Sequence, residues 1–237
     1  MSIFERTEML LGREAVKRLS ECSIAVFGVG GVGGYTAEAL VRSGVGKITL
    51  VDNDTVTESN INRQIIALHS TVGMLKTEAA RRRIADINPD CVVCVRNEFV
   101  LPENIDTFDF ASFDYVVDAV DTVAAKLAVI KACDAVGTPI ISAMGAGNKL
   151  HPELFELADI YSTSVCPLAR VMRRELRARG IKKLPVVYSR EEAHPYALTP
   201  APEGERGRIP PGSVSFVPPV AGYIMAGKII WDISGND

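Results

Sequence analysis

The chain has 237 residues, 47% of them hydrophobic and 23% charged, with a formal net charge of −3. A chain of this length buries roughly 70–75% of its unfolded surface, enough for one substantial domain. The slight negative charge excludes a global attraction to nucleic acid, so such a partner would need a local basic patch. No apolar run approaches the roughly 20 residues that span a membrane. The five scattered cysteines predict free thiols in the cytoplasm rather than a disulfide framework.

Strands alternate with helices over the first 144 residues. Residues 6–19 predict a polar-faced helix, and residues 22–31 predict a buried strand that ends in glycines. A helix that Gly44 ends comes next. Further strands are predicted in KITLVDND, CVVCVRNEF, DYVVDAVD and PIISAM, with helices in GMLKTEAARRRIADINP and TVAAKLAVIKACDAVG. This alternation predicts an α/β fold with a Rossmann-like, doubly wound and mainly parallel sheet.

The pattern changes after residue 144, and we expect residues 145–237 to extend the same single domain. FELADI, LPVVYS and GSVSFV predict short strands that add an antiparallel extension to the sheet. PLARVMRRELRARG predicts a basic helix, and PPVAGYIMAGKIIWDI predicts an apolar helix packed on the sheet. Residues 198–212, rich in proline and glycine, predict an exposed, mobile loop.

The turn after the first strand carries the G-x-G-x-x-G pattern at Gly28, Gly30 and Gly33. Glycines let backbone amides approach a phosphate, and the N-terminus of the following helix favours negative charge. Asp52 closes the second strand about 20 residues later, where a carboxylate can accept hydrogen bonds from both ribose hydroxyls. The pattern predicts a nucleotide site, and by itself it does not separate a dinucleotide from ATP.

The residues that follow Asp52 favour ATP. Arg63 and Lys76 are cations of the kind that stabilise a triphosphate attacked at its α-phosphorus. Asn60 is placed either to bind phosphate oxygens or to position Arg63. A lone Arg or Lys is usually a solvated surface charge, but the Asn-rich turn directly after the ribose aspartate favours the functional interpretation. An NAD-dependent oxidoreductase stays open as an alternative, supported by the glycine loop and Asp52.

Two aspartates close the fourth predicted strand, at the edge where open α/β sheets bind ligands. A carboxylate there can hold Mg²⁺, which binds one or two carboxylates together with phosphate oxygens. We predict that Asp121 binds the metal and that Asp118 supports it. Asp121 also suits the N-cap of the next helix, and the sequence leaves both roles open.

The motifs GxGGVG, VDNDTVTESNINRQ, TVGMLK and DAVDT, in this order, resemble the ubiquitin-activating-enzyme-like adenylyltransferase superfamily (ThiF/MoeB/HesA type). Members adenylylate a carboxylate with ATP and release pyrophosphate. The resemblance covers nearly the whole chain and implies a homodimer in which Arg6 reaches the ATP of the partner subunit. It places ATP at the matching positions Gly31, Asp52, Asn60, Arg63, Lys76 and Asp121.

The motifs LHSTVG, DINPD, SAMGAGNKL, ADIYSTSVCPLARVMRRELRARGIKKL and GSVSFVPPVAG are similar to those of a narrower group, the tRNA threonylcarbamoyladenosine dehydratases. This resemblance implies that ATP activates the threonylcarbamoyl carboxylate on tRNA and that ring closure then removes water overall. Two alternatives stay open. One is adenylylation of the C-terminal glycine of a small sulfur-carrier protein, and the other is a tRNA-binding module without catalysis.

Seven cations fall within 14 residues of the predicted basic helix and its C-terminal side: Arg170, Arg173, Arg174, Arg177, Arg179, Lys182 and Lys183. On an acidic protein this concentration predicts a surface for the tRNA backbone, the alternative being a solvated helix face. Cys166 opens the same helix. We interpret Cys166 as structural, because the dehydratases need no thioester that the sequence places here.

The sequence predicts no structural zinc. Cys91 and Cys94 form its only C-x-x-C pair, within a strand whose residues i and i+3 point to opposite faces, so we assign both to the core. His69, His151 and His194 show no ligand spacing. A monovalent cation is compatible with the glycine-rich SAMGAGNKL loop, and a sulfur-transfer partner protein with the superfamily resemblance.

Overall fold

A computed structural model describes residues 2–198 and 210–235. Seven strands lie within them: β1 (Ser23–Phe27), β2 (Lys47–Val51), β3 (Val92–Arg96), β4 (Tyr115–Asp118), β5 (Ile140–Ala143), β6 (Phe155–Asp159) and β7 (Pro185–Ser189). They form one sheet in the order β3-β2-β1-β4-β5-β7-β6. Neighbouring strands run parallel except β6, which pairs antiparallel with β7. The predicted doubly wound sheet with an antiparallel C-terminal extension is confirmed.

Seven α-helices lie in the same residues: α1 (Glu5–Leu11), α2 (Arg13–Glu21), α3 (Gly33–Arg42), α4 (Lys76–Ile87), α5 (Val123–Val136), α6 (Pro167–Ala178) and α7 (Pro218–Ser234). One face of the sheet packs on α2, α3, α4 and α7, and the opposite face packs on α5 and α6. This two-sided burial explains the continuous apolar runs of the central strands, since side chains on both faces leave water. None of the described helices is long and apolar enough to cross a membrane.

Helix α7, near the C-terminus, packs against elements from both halves of the chain. It packs against α2 and α3 and also crosses β5, β6 and β7. Gly222 permits the close approach to α3, because a Cβ there would lie 2.5 Å from the carbonyl oxygen of Val32. Pro218, at the start of α7, lies beside the glycine loop, with its Cβ 3.3 Å from the position of a Cβ on Gly31. The C-terminal helix therefore forms part of the wall around the N-terminal half of the sheet.

Three predictions of local structure are wrong. The helix expected at 6–19 is broken at Gly12, whose φ of 85° ends α1 and starts α2. GSVSFV is a turn leading into α7 rather than a strand, and its Ser213 carbonyl accepts a hydrogen bond from Asn62 Nδ2 at 3.0 Å. Cys91 is buried as expected, but Cys94 is exposed, because β3 is an edge strand. The loop predicted at 198–212 lies mostly outside the described residues.

Candidate nucleotide-binding site

The glycine loop joins β1 to α3 and has no room for side chains at its key positions. Gly28 has a φ of 89°, and a Cβ there would lie 2.6 Å from the carbonyl oxygen of Ala119. A Cβ on Gly33 would overlap the carbonyl oxygen of Gly28. No side chain of residues 2–198 or 210–235 caps α3. The Gly34 amide donates to the Gly30 carbonyl at 3.0 Å, and no described side chain competes with an anion for the remaining amides at the start of α3.

Asp52 is fixed against this loop at the end of β2. Its Oδ2 accepts a hydrogen bond from the Val29 amide at 2.7 Å, and its Oδ1 accepts one from the Asp54 amide at 2.9 Å. Burial raises the pKa of Asp52, while Lys76 and the two amides oppose that rise. The carboxylate is thus held beside the glycine loop, where the sequence places the ribose.

Arg63 lies next to the same loop. A Cβ on Gly31 would lie 3.4 Å from the Arg63 carbonyl oxygen and 3.7 Å from Arg63 Cγ. Its Nη1 donates to the Ser59 carbonyl at 2.7 Å and to Asn62 Oδ1 at 2.8 Å. Partial burial lowers the pKa of Arg63, yet a guanidinium stays charged in proteins. Because both acceptors are neutral, Arg63 can deliver its full charge to a ligand.

Lys76 is the first residue of α4 and is buried. Its Nζ donates to Asp54 Oδ2 at 2.6 Å, while the Asp54 side chain is 57% exposed. A cation at a helix N-terminus is opposed by the helix dipole. The ion pair with Asp54 offsets this opposition, and the Lys76 charge also counteracts the rise that burial produces in the pKa of Asp52.

Asn60 organises the turn that carries Arg63. Its side-chain Oδ1 accepts a hydrogen bond from the Thr57 amide at 3.3 Å, and its carbonyl accepts one from the Arg63 amide at 3.0 Å. The geometry thus supports the interpretation in which Asn60 positions Arg63. Gln64, which the sequence interpretation overlooked, lies beside Gly30, and its buried Oε1 finds no partner in the described part of the chain. Gln64 is the last residue of the SNINRQ motif, and this position could have indicated that it belongs to the site.

The two aspartates after β4 have different environments. Asp118 is fully buried and accepts a hydrogen bond from Lys126 Nζ at 3.1 Å, so it forms an internal ion pair. Asp121 is exposed, and no residue of the described chain donates a hydrogen bond to it. The N-cap of α5 is Thr122, so the N-cap role considered for Asp121 is wrong. Its solvated carboxylate, two residues after Ala119 at the glycine loop, is a suitable oxygen ligand for Mg²⁺.

Arg6 does not join the site of its own chain. It is exposed on α1. The residue before this helix, Phe4, lies near Gly44, where a Cβ would be 3.7 Å from the Phe4 ring. Gly44 lies past the C-terminal end of α3, whereas the glycine loop is at its N-terminal end. Helix α3 has 10 residues, so its two ends lie about 15 Å apart. A contact between Arg6 and ATP would therefore have to be made with a second copy of the chain.

The predicted basic surface is only partly available. Arg173 donates to Thr163, and Arg174 and Arg179 pair with Glu175. Arg177 stacks on Tyr161, with its Cζ 5.3 Å from the ring centre. The exposed cations that form no ion pair in the described residues are Arg170, Arg177, Lys182 and Lys183.

The fold also brings together residues that the sequence left apart. His151 and His194 meet around Glu191, with one ligand atom from each residue within 4.8 Å of the others. The view that these histidines lack ligand spacing is therefore wrong for the folded chain. The sequence indicates this cluster only indirectly. Each histidine follows a predicted strand, but the two meet because β5 and β7 are parallel neighbours in the sheet.

A family model for the ThiF family matches residues 4–236. The chain belongs to the ThiF family. The predicted resemblance to this superfamily is confirmed, and the match extends over nearly all of the residues described above.

The curated relatives include proteins named tRNA threonylcarbamoyladenosine dehydratase. The chain is 43% identical to the one from Bacillus subtilis (strain 168) over 238 residues, which cover 97% of this chain and 94% of the relative. It is 40% identical to the one from Escherichia coli (strain K12) over 175 residues, covering 74% of this chain and 65% of the relative. The resemblance to the narrower group is confirmed as well.

A solved structure matches nearly the whole of this chain. It is that of E. coli tRNA N6-threonylcarbamoyladenosine dehydratase, TcdA, in complex with ATP. The TM-score is 0.88 with 33% sequence identity, and the match covers 98% of this chain and 93% of that chain.

Proposed function

We propose that this protein uses ATP to convert threonylcarbamoyladenosine in tRNA to its cyclic, dehydrated form. The observation that carries the proposal is the convergence of the glycine loop, Asp52, Arg63 and Lys76 at one edge of the sheet. The full-length similarity to relatives named for this reaction supports it. Because the proposed substrate is tRNA, we place the activity in the cytoplasm.

In the first step a carboxylate oxygen of the substrate attacks the α-phosphorus of ATP. The new oxygen–phosphorus bond forms as the bond from the α-phosphorus to pyrophosphate breaks. Asp52 holds the ribose, and the first N–H groups of α3 hold phosphate oxygens. Arg63 and Lys76 stabilise the negative charge that builds on the equatorial oxygens.

The donor set at Asp121 suits Mg²⁺, since this carboxylate is exposed and unpaired within the described chain. Bound Mg²⁺ would neutralise charge on the phosphates. Asp118 would support Asp121 by fixing the end of β4 through its ion pair with Lys126.

In the second step an atom of the same substrate attacks the activated carbonyl carbon, and the bond from that carbon to AMP breaks. Overall, ATP becomes AMP and pyrophosphate while the nucleoside loses one water. Proximity within the substrate can drive this step without a protein nucleophile. Cys166 is buried at the start of α6, in keeping with a structural role.

The proposed assembly is a homodimer in which Arg6 contributes to the ATP site of the partner subunit. Helix α1 supports this, because Met9 and Leu10 are 80% and 87% exposed and Ile3 is 67% exposed. Mixing an Arg6→Ala chain with a Lys76→Met chain tests it. Mixed dimers should regain activity that neither variant has alone, because one of the two sites then receives both intact residues.

We propose that tRNA binds along α6 through its exposed cations. A cavity of about 370 Å³ at the C-terminal end of this helix is lined by Tyr161, Arg177, Gly180, Ile181 and Lys182. Its two cationic side chains suit a phosphate of the tRNA backbone. A sulfur-transfer partner protein and a monovalent cation stay predictions from the sequence.

The deciding experiment follows ATP conversion to AMP and pyrophosphate with tRNA that carries threonylcarbamoyladenosine and with the same tRNA lacking it. Turnover with the modified tRNA alone, and a nucleoside lighter by one water in mass spectrometry, is the expected result. If neither tRNA stimulates cleavage, the proposed substrate is wrong, and a small sulfur-carrier protein is tested next. Protection against heat by NAD but not by ATP would instead favour the oxidoreductase alternative.

A further inference from the structure

A second cluster of chemically active side chains lies away from the glycine loop. It is formed by the segment after β5, which contains His151, and the segment after β7, which contains Glu191 and His194. Because β5 and β7 are parallel neighbours, both segments leave the sheet at the same edge. Glu191 is buried, with 5% of its surface exposed, whereas both imidazoles are about half exposed.

Each member of the cluster is held by other contacts. The Glu191 carboxylate accepts hydrogen bonds from the Leu150 amide at 2.8 Å and the His151 amide at 3.0 Å. His151 Nδ1 lies 2.9 Å from Glu153 Oε1, and the His194 amide donates to the Asn148 carbonyl at 2.8 Å. This carboxylate–histidine contact is the outer-shell arrangement that orients an imidazole and leaves Nε2 for a metal.

We propose that His151, Glu191 and His194 form a binding site for one Zn²⁺-class ion. His194 Nε2 already lies 2.8 Å from Glu191 Oε1. Zinc binds histidine nitrogen and carboxylate oxygen at about 2.0–2.2 Å, which puts tetrahedral ligands roughly 3.4 Å apart. The 2.8 Å separation has to widen and the longer separations, at most 4.8 Å, have to shorten. Side-chain rotations of the two half-exposed imidazoles allow both changes.

The donor set selects the class of ion. Two imidazoles and one carboxylate suit zinc and its neighbours, whereas Mg²⁺ and Ca²⁺ prefer oxygen ligands alone. Two cations lie near the cluster in the chain, and neither pairs with the Glu191 carboxylate: Lys149 Nζ donates to the main-chain carbonyl of Glu191, and Arg190 pairs with Glu156. Three protein ligands leave a fourth position for water, so the ion would tie the two segments together at the solvent boundary.

The test measures Zn²⁺ affinity of the intact protein against a chromophoric chelator, with reduced thiols and excess Mg²⁺. We expect one tight equivalent that Mg²⁺ does not displace. His151→Ala and His194→Ala should abolish that binding, and Glu153→Gln should weaken it about 10-fold or more. His69→Ala is the matched control, because His69 is the remaining histidine, is exposed and lies outside the cluster.

Two further measurements keep the outcome unambiguous. The unfolding temperature without metal should be the same for both histidine variants and the parent chain, because these imidazoles are half exposed. Cys94→Ser should leave the binding unchanged, since Cys94 is the exposed thiol that competes for zinc. Equal affinity in all variants, or a loss confined to Cys94→Ser, would overturn the proposal.

Discussion

The cations of the candidate nucleotide site and those of the basic surface at α6 differ in burial and in the contacts that hold them. Lys76 is buried and its Nζ donates one hydrogen bond, to Asp54. Arg63 is half-buried beside the glycine loop and donates two. Lys182 and Lys183, past the end of α6, are exposed and form no ion pair in the described chain. Desolvated, fixed charges stabilise one developing charge strongly, whereas solvated charges act over a wide surface and are screened by salt. Under the proposed function, the first group suits the chemical step and the second suits attraction of a polyanion.

The largest effect should come from Lys76→Met, which removes the buried cation. We expect AMP formation at saturating ATP to fall by about 100-fold to 1,000-fold, as when one fixed transition-state donor is removed. Pyrophosphate release measures the rate. Lys131→Met, at an exposed position of α5, is the control and should keep the parent rate. Near-normal turnover by Lys76→Met would contradict the role given to Lys76.

A second substitution tests how rigid the nucleotide site is. Gly28→Ala should cost about 1–3 kcal/mol of unfolding free energy, because it combines a positive φ with a clash against Ala119, and ATP should no longer raise the unfolding temperature. Gly73→Ala is the control, because Gly73 has a φ of 86° with nothing within 4 Å of its Cβ position. It should lose less stability and keep ATP binding. Equal losses would show that backbone strain alone, without the clash, sets the cost.

Glu38 is a carboxylate that two arginines share. Its carboxylate accepts hydrogen bonds from Arg83 at 3.1 Å and Arg42 at 2.8 Å, linking α3 to α4. Burial favours the neutral acid, but the two guanidinium groups outweigh it and lower the pKa of Glu38. The stabilisation is therefore present above the ordinary glutamate value of about 4.3 and is lost as pH falls through the lower folded value.

Glu38→Gln should accordingly lower the unfolding free energy by about 1–2 kcal/mol at pH 7. The difference from the parent chain should shrink as the pH drops below about 4, because the parent carboxyl then becomes protonated too. Urea unfolding at several pH values measures both. A difference that stays constant down to pH 3 would rule out the charge as its source.

The smallest effect per residue is expected beyond α6. Lys182→Gln and Lys183→Gln should each reduce the slope of log affinity for tRNA against log salt by about 1, without changing the rate at saturating tRNA. Arg81→Gln and Arg82→Gln, exposed on α4, are the controls and should leave the slope unchanged. If the lysine variants and the arginine variants give the same slope, the tRNA binds elsewhere on the molecule.

Local patterns predicted most of this fold, and they indicated the residues that the fold brings together at the candidate nucleotide site, because both depend on motifs in short segments. The glycines, Asp52 and the SNINRQ turn are each recognisable within a few consecutive residues. Contacts between distant positions, such as that of Asp52 with the Val29 amide, then bring them together. GSVSFV has the composition of a strand, yet the Ser213 carbonyl bonds to Asn62 instead of a strand neighbour. The cluster at Glu191 depends on β5 and β7 being adjacent, which only the strand order of the folded sheet supplies.

The position of α7 has a consequence for how the protein is made. Pro218 lies beside Gly31, and Gly222 contacts α3, so α7 supplies part of the wall around the glycine loop. A ribosome has translated the loop long before it translates this helix. Nascent chains therefore carry an incomplete site until α7 emerges, and a chain released before residue 218 should neither protect its first strands from proteases nor cleave ATP.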